Sequence, residues 1–492
     1  MTVPTPPIEL TGHADHLHGQ GVELPAGFID RLAAMCEVST DLEATAEASR
    51  DWWPLALHWS LAGEVPRRAA VVARPTTVEE VAALVGAANA AHVPVTAAGG
   101  RSGVCGASAP VFGGVVMDLT GLEGVQSVDE TSGIVEVRAG TFGPDLERIL
   151  NTHHGLTVGH FPQSFDIATV GGWVACRGAG QYSTRYGKIE DMVVGLETVL
   201  ADGRIVRTGG APAAAVGPDL DQVFIGSEGT LGVITTVWLR AHPVAETVQR
   251  AAYHFGALHD GFEACRQIIR RGATPAVLRL YDAVESNRGR GGDGTTCTLL
   301  VLDEGDERIV DATMAIVDEV CASASLPGDE QLVRDWMTHR NDTSALQGLT
   351  KKGFAVDTME IAAPWSKLND VFAAATAAIM AVPNALAASC HLSHSYLDGA
   401  CLYFSFAARP PADEVESTYR AMWDAGQRAV LASGGNLSHH HGIGLNRSRF
   451  VADALGPAFD VLLTLKNALD PNGILNPGKL GLPSPFGASP WP

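Results

Sequence analysis

The stretch AAGGRSGVCGA, from Ala97 to Ala107, constrains this chain most, because it places Gly99, Gly100, Gly103 and Gly106 within eight positions. Missing side chains let successive backbone N–H groups turn inward as a concave nest that can hold a pyrophosphate without a cation, and Ser102 can add a hydroxyl. The spacing matches neither the dinucleotide pattern GxGxxG nor the Walker pattern, so nicotinamide and ATP readings lose ground. The residues before the loop are strongly patterned. Thr76 and Glu79 can form a capping box, and Val81, Leu84, Val85 and Ala88 repeat on one helix face. A helix and then a short strand, Val93 to Ala97, are predicted to lead into the turn. Alone, such a turn is an ordinary flexible loop as readily as a phosphate site.

A chain of 492 residues exceeds the size at which one hydrophobic core keeps growing, so two or more packed units are expected. The net charge of -21 works against binding nucleic acid or anionic lipid, both of which need clustered Lys and Arg. The eight cysteines form no CxxC pair, which favours reduced thiols and a cytoplasmic location over a disulfide framework or a zinc ribbon. The first nineteen residues lack a cationic start and an apolar core, so they read as a flexible tail and not as a secretory signal. Val371 to Val382 is apolar but too short to span a bilayer, and Pro383 stops it, which favours a buried helix. No transmembrane segment is expected.

Further elements give an α+β reading of at least two units behind a short helical preface. Phe28 to Ala62 reads as that preface, with Trp52, Trp53 and Trp59 packed in a core. Val115 to Leu119 and Ile134 to Val137 read as strands, Pro144 to Leu150 as a helix, and VLADGRIV as a hairpin with a two-residue turn at Asp202-Gly203. Beyond Pro243, GALHDGFEACRQIIRRG, VLRLYDAVE and LYFSF suggest helix, strand and strand, and Phe450 to Leu469 reads as one helix. The expected divisions are 1–65 for tail and preface, 66–245 for the first domain, 246–435 for the second, and 436–492 for a segment returning to the first.

Two more segments follow in order: PQSFDIATVGGWVACRGAGQYSTRYGKIEDMV, Pro162 to Val193, and FIGSEGTLGVIT, Phe224 to Thr235. With the glycine loop, they make the sequence from Arg74 to about Pro243 resemble the FAD-binding domain of the vanillyl-alcohol-oxidase and cresol-methylhydroxylase family, which implies a two-lobed FAD-binding domain over 66–245 and an α+β cap over 246–435. The resemblance implies that Gly99, Gly100, Arg101, Ser102 and Gly103 hold the pyrophosphate. It further implies that Asp166, Thr169, Gly171, Gly172, Glu228, Gly229 and Ile234 line the flavin and adenosine. Some members bind flavin covalently through a His or Cys near the first loop. This loop carries Ser102 and Val104 there, and Cys105 reads as a small buried residue, so FAD is expected to be non-covalent.

The second constellation is LASGGNLSHHHGIG, Leu431 to Gly444, in which His439, His440 and His441 stand in succession. Neighbouring side chains diverge, so at most two of the three can point into one pocket. A solvent-exposed metal-binding tract is the plain alternative, but the bracketing glycines suggest a tight turn, and neutral imidazole suits proton transfer near pH 7. Upstream, CHLSHSYLDGACLYF carries His391, His394, Tyr396 and Tyr403. With RLY at Arg279 to Tyr281 and MEIAAPW at Met359 to Trp365, this pairing resembles the alkylglycerone-phosphate synthases.

That likeness implies proton transfers by Tyr403 and His439 to His441, and a role for Arg279 at the flavin or at a substrate phosphate. The reaction it implies is exchange of the acyl group of acyl-dihydroxyacetone phosphate for a fatty alcohol. A small-molecule or lipid substrate, a homodimer, no nucleic acid and room for a peripheral membrane contact go with it. There are departures. DPNGILNPGK looks more like bacterial FAD-linked oxidases, and Leu445 replaces a cation of the synthases; Arg447 and Arg449 nearby either supply that charge or, as is more common, are surface arginines. The rival reading is a flavin oxidase or dehydrogenase of a 2-hydroxy acid or other alcohol. Metal-dependent members of that branch carry His-x-Gly-Asp-Gly-Asn-x-His, which HSYLDGACLY lacks, so no metal is expected. A non-catalytic flavin carrier is the third reading, and the histidines beside Tyr403 argue against it.

Overall fold

Period-2 and period-3.6 patterns along the described residues resolve into three larger sheets and two two-stranded ones, with helices packed on them. The computed structural model describes residues 12–491 apart from 20, 211, 290, 323, 324 and 343. Residues 1–11 of the expected tail lie outside the described residues, but those that follow are not a loose tail: Ala14–Asp15 pairs in parallel with Glu64–Val65.

The first sheet has four strands, β1 (Glu37–Ser39), β2 (Val71–Arg74), β3 (Val95–Ala98) and β4 (Val115–Asp118), in the order β1-β2-β4-β3. β1 belongs to the segment read as a helical preface, so that segment contributes an edge strand as well as the helices Phe28–Ala33, Leu42–Ala48 and Pro54–Leu61. Trp52, Trp53 and Trp59 are all buried. The helix Val78–Ala91 buries Val81, Leu84, Val85 and Ala88 as the periodicity predicts. Its capping box is Thr77 with Glu80, one position beyond the predicted pair. The Glu80 carboxylate accepts the Thr76 amide at 2.6 Å and the Thr77 amide at 3.3 Å, so it closes the turn from farther along.

The second sheet contains β5 (Val125–Asp129), β6 (Ile134–Arg138), β7 (Val193–Val199), β8 (Ile205–Gly209) and β9 (Val233–Arg240), in the order β8-β7-β9-β6-β5. The β7–β8 turn differs from the predicted two-residue type. Leu200 and Arg204 still pair through a 2.9 Å bond, leaving a three-residue loop, and Gly203 takes the left-handed position (φ 83°) that such a loop requires.

The third sheet draws on residues 247–408: β10 (Thr247–Phe255), β11 (Val277–Tyr281), β12 (Cys297–Gly305), β13 (Leu326–Gly328), β14 (Ala355–Pro364), β15 (Ala385–Ser395) and β16 (Gly399–Ala408). Their order is β13-β10-β12-β11-β15-β16-β14, antiparallel throughout. Alternation gives this sheet two unlike faces. Leu278, Leu280, Met359, Ile361, Leu392, Leu402 and Phe404 are buried in the largest core cluster, under the helices Leu258–Arg270, Leu368–Met380 and Val415–Ser433. The residues between them face the other way and are polar. The apolar run before Pro383 is therefore one of the covering helices, and no helix among the described residues is long and apolar enough to cross a membrane. Phe450 to Leu469 is not one helix: Gly456 and Pro457 break it into Val451–Leu455 and Phe459–Leu469.

Candidate active site

A cavity of about 520 Å³ runs between the first two sheets and the polar face of the third. The glycine loop, Thr169, Gly171, Gly172, Glu228, Gly229 and Ile234 line one side. Steric demand explains the glycines. A β-carbon on Gly99 would stand 2.1 Å from Thr169 Oγ1, and one on Gly100 would stand 2.0 Å from the Ile167 carbonyl oxygen. Only a bare backbone can lie this close, and that closeness brings the loop amides to the cavity wall where a diphosphate needs donors. Arg101 adopts φ 54°, and its guanidinium reaches back to Glu47 at 3.8 Å. These residues fit FAD. Asp166 does not line the cavity: the short turn Phe165–Ile167 points it into solvent. Cys105 is buried outside the cavity, where its carbonyl oxygen accepts the Leu445 and Asn446 amides.

The third sheet supplies the opposite wall through Arg279 on β11, Thr358 on β14, His391 and Ser393 on β15, and Tyr403 and Ser405 on β16. Tyr403 and His391 are register partners whose rings stack at 4.7 Å. The Tyr403 hydroxyl donates to Thr358 Oγ1 at 3.0 Å, and burial is the main cause that raises its pKa, so it stays a phenol. Arg279 donates to the Tyr281 hydroxyl at 2.8 Å and lies 2.6 Å from His391 Nε2. Because a guanidinium only donates, His391 Nε2 accepts, and its Nδ1 faces Glu285 at 2.8 Å.

The histidine run closes one end. His440 and His441 line the cavity, whereas His439 is 6% exposed and points away from it. Burial holds both His439 and His440 well below the usual histidine pKa, so they are neutral imidazoles able to accept a proton. A bulge in β15 brings a fourth imidazole to them. Ser393 and Ser395 pair with Cys401 and Ala400, leaving His394 as the extra residue at φ 55°, and its ring stacks on His439 at 5.0 Å. The ring nitrogens of His394, His439 and His440 lie within 4.8 Å of one another. Hydrogen bonds engage them: His394 Nδ1 with Ser183 Oγ at 2.6 Å, His439 Nδ1 with His440 Nδ1 at 2.8 Å, and His439 Nε2 with the Tyr396 hydroxyl at 2.7 Å.

Two buried carboxylates hold the run in place. Glu228 accepts the amides of Ile443 at 2.6 Å and Gly444 at 2.9 Å, while Glu360 accepts those of His440 at 3.1 Å and His441 at 2.8 Å. Glu360 Oε2 also lies 2.8 Å from His441 Nδ1. Burial alone would raise the Glu360 pKa, but Arg447 and His441 outweigh it and hold the carboxyl well below its usual value. Arg447 is therefore not a surface residue. It is 0% exposed, donates to Glu360 Oε2 at 2.5 Å and to the Leu437 carbonyl at 3.0 Å, and packs on Trp423. Arg449 is part-buried against Asp424 at 2.9 Å. Reading the sequence alone overlooked Glu360. The available signal was a second acidic residue, three positions after Asp357, inside the strand segment VDTMEIAAP.

The comparisons with known proteins agree with this geometry. A family model described as an FAD binding domain matches residues 69–209, and one described as the C-terminal domain of FAD linked oxidases matches residues 244–480. An uncharacterised FAD-linked oxidoreductase of Escherichia coli K12, YgcU, is 33% identical over 439 residues, covering 85% of this chain and 89% of that protein. The alkyldihydroxyacetonephosphate synthase of Dictyostelium discoideum is 28% identical over 461 residues, covering 85% of this chain and 74% of that protein. A solved alkyldihydroxyacetonephosphate synthase superposes with a TM-score of 0.76 at 25% identity, over 96% of this chain and 90% of the other.

Proposed function

We propose that this chain, which belongs to the FAD-linked oxidase family and takes FAD as its cofactor, catalyses an alkylglycerone-phosphate-synthase-like exchange. In that reaction a fatty alcohol replaces the acyl group of acyl-dihydroxyacetone phosphate, and a fatty acid leaves. The observation that carries the reading is the composition of one cavity: a guanidinium, a phenol and the imidazoles of His391, His394, His440 and His441 converge on the side facing the glycine loop.

Each residue has a task its chemistry allows. Arg279 offers its remaining N–H groups to an anionic phosphate. His440 is neutral and can accept the carbon-bound proton, and its Nε2 is the nitrogen left open because Nδ1 is engaged by His439. The Tyr403 phenol can donate to an oxygen that gains charge as the acyl group departs. Glu360 keeps His441 and the loop amides fixed while this happens. FAD, when bound, supplies the ring system that activates the substrate carbon held against it.

A second reading, oxidation of a 2-hydroxy acid or other alcohol, is favoured by the FAD-linked oxidoreductase at 33% identity. The same His440 would take the hydroxyl proton. An anaerobic assay separates the two. Holoenzyme mixed with acyl-dihydroxyacetone phosphate and hexadecanol should release fatty acid with no electron acceptor. Turnover of hydroxy acids only when an acceptor is added rejects the exchange reading.

A further inference from the structure

We propose that His440, His439 and Tyr396 form a proton relay that carries the proton taken up in the cavity to the surface at the β15–β16 hairpin. The proposal rests on the reading that His440 is the base, and it gives His439, which faces away from the cavity, a part in the reaction.

The geometry is continuous. His440 lines the cavity, and its Nδ1 lies 2.8 Å from His439 Nδ1. Two nitrogens at this distance share one proton, so one donates and the other accepts. His439 Nε2 lies 2.7 Å from the Tyr396 hydroxyl. The Tyr396 hydroxyl is largely buried and also bonds the Ser183 side chain, with the Glu190 and Asp191 carboxylates acting on it, and the residue is followed by Leu397, 66% exposed, and the exposed Asp398. The Lys188 ammonium donates to the His439 carbonyl at 2.8 Å and fixes the middle member.

The proton balance closes. His440 gains a proton on Nε2 and passes its Nδ1 proton to His439 Nδ1. His439 passes its Nε2 proton to the Tyr396 oxygen, and the phenol's own proton leaves to water. Each hop forms one bond to hydrogen and breaks another, and both imidazoles end neutral in the opposite tautomer. Return of a proton in the second half of an exchange restores the first tautomers. A neutral wire suits this setting, because burial depresses the pKa of both rings and a lasting imidazolium there would be costly. A divalent ion on His394, His439 and His440 would take the lone pairs the relay uses, so metal content belongs in the test.

The test uses full-length holoenzyme with Tyr396→Phe and His439→Gln. Both variants should lose about tenfold or more in kcat, less than the ~10²–10⁴ typical of the group that transfers the proton directly, with KM and the flavin absorbance spectrum unchanged. Added imidazole buffer should restore part of the loss, and the dependence of kcat on deuterium fraction, which should be curved for the parent enzyme, should become linear in the variants. Unchanged kcat, a loss that buffer does not restore, or stoichiometric zinc in the parent holoenzyme overturns the relay. If the parent enzyme turns over neither substrate class, the reading of the site fails. The relay is then judged by proton uptake during stopped-flow reduction of the bound flavin with dithionite, which Tyr396→Phe should slow and which an unchanged rate would refute.

Discussion

Replacing Arg447 with methionine removes a cation from the fully buried pair under the histidine run while keeping a side chain of similar length. In the parent structure Glu360 is matched by that guanidinium through contacts at 2.5 and 3.2 Å. Without it, the carboxylate stays charged in an apolar setting or binds a proton. An ordinary carboxyl with a pKa of about 4.3 costs roughly 3.7 kcal/mol to protonate at pH 7, at about 1.36 kcal/mol per pH unit. That figure agrees with the ~3–5 kcal/mol lost when one partner of a buried ion pair is removed. The protonated carboxyl still accepts the His440 and His441 amides, so the loss should fall near the lower end. The assay is urea denaturation of the holoenzyme at pH 7, followed by flavin fluorescence and by far-UV circular dichroism. Adding Glu360→Gln to Arg447→Met should recover at least half of the loss, because the unpaired charge is then gone. A single variant within about 1 kcal/mol of the parent, or a double variant less stable than the sum of the singles, refutes the account.

Gly100→Ala should yield colourless protein that does not retain FAD on a desalting column, since its β-carbon would stand 2.0 Å from the Ile167 carbonyl oxygen and 3.0 Å from the Phe142 ring. A yellow variant with parental flavin content contradicts the packing argument. Glu228 gives a pH signature. Burial, opposed by the Ile443 and Gly444 amides, pushes its carboxyl up to about 7 from its ordinary 4.5. A raised folded-state value means that its contribution to stability is fully present below about 4.5 and is lost as pH rises through about 7. Stability of Glu228→Gln should therefore change less than that of the parent between those limits in a pH series of denaturation curves, and parallel profiles count against the assignment.

Much of the cavity's first wall was legible in the sequence because close backbone approach leaves its mark as glycine. Gly99, Gly100, Gly171, Gly172 and Gly229 all line the cavity. The opposite wall was partly legible. LYFSF announces a strand, and its alternation sends Leu402 and Phe404 to the core and Tyr403 and Ser405 to the cavity. What escaped depended on contacts distant in sequence. Arg447 looked like a surface residue until Glu360, 87 positions earlier, proved to be its partner. Asp166 sits beside true wall residues, but a single turn rotates it outward, and no spacing rule reports that rotation. The three-residue loop at Gly203 and the break at Gly456-Pro457 turn on one or two torsions that a sequence pattern does not fix.

The histidine run is clasped from two directions, by Glu228 from the flavin-binding side and by Glu360 from a strand of the third sheet. Modular exchange between relatives is restricted accordingly. A chimera that grafts a foreign cap onto this flavin-binding half keeps only one of the two anchors unless the strand bearing Glu360 and the loop after Leu437 travel together. Substrate range can then diversify through the inward positions of the cap strands while the clasp itself is inherited as a unit.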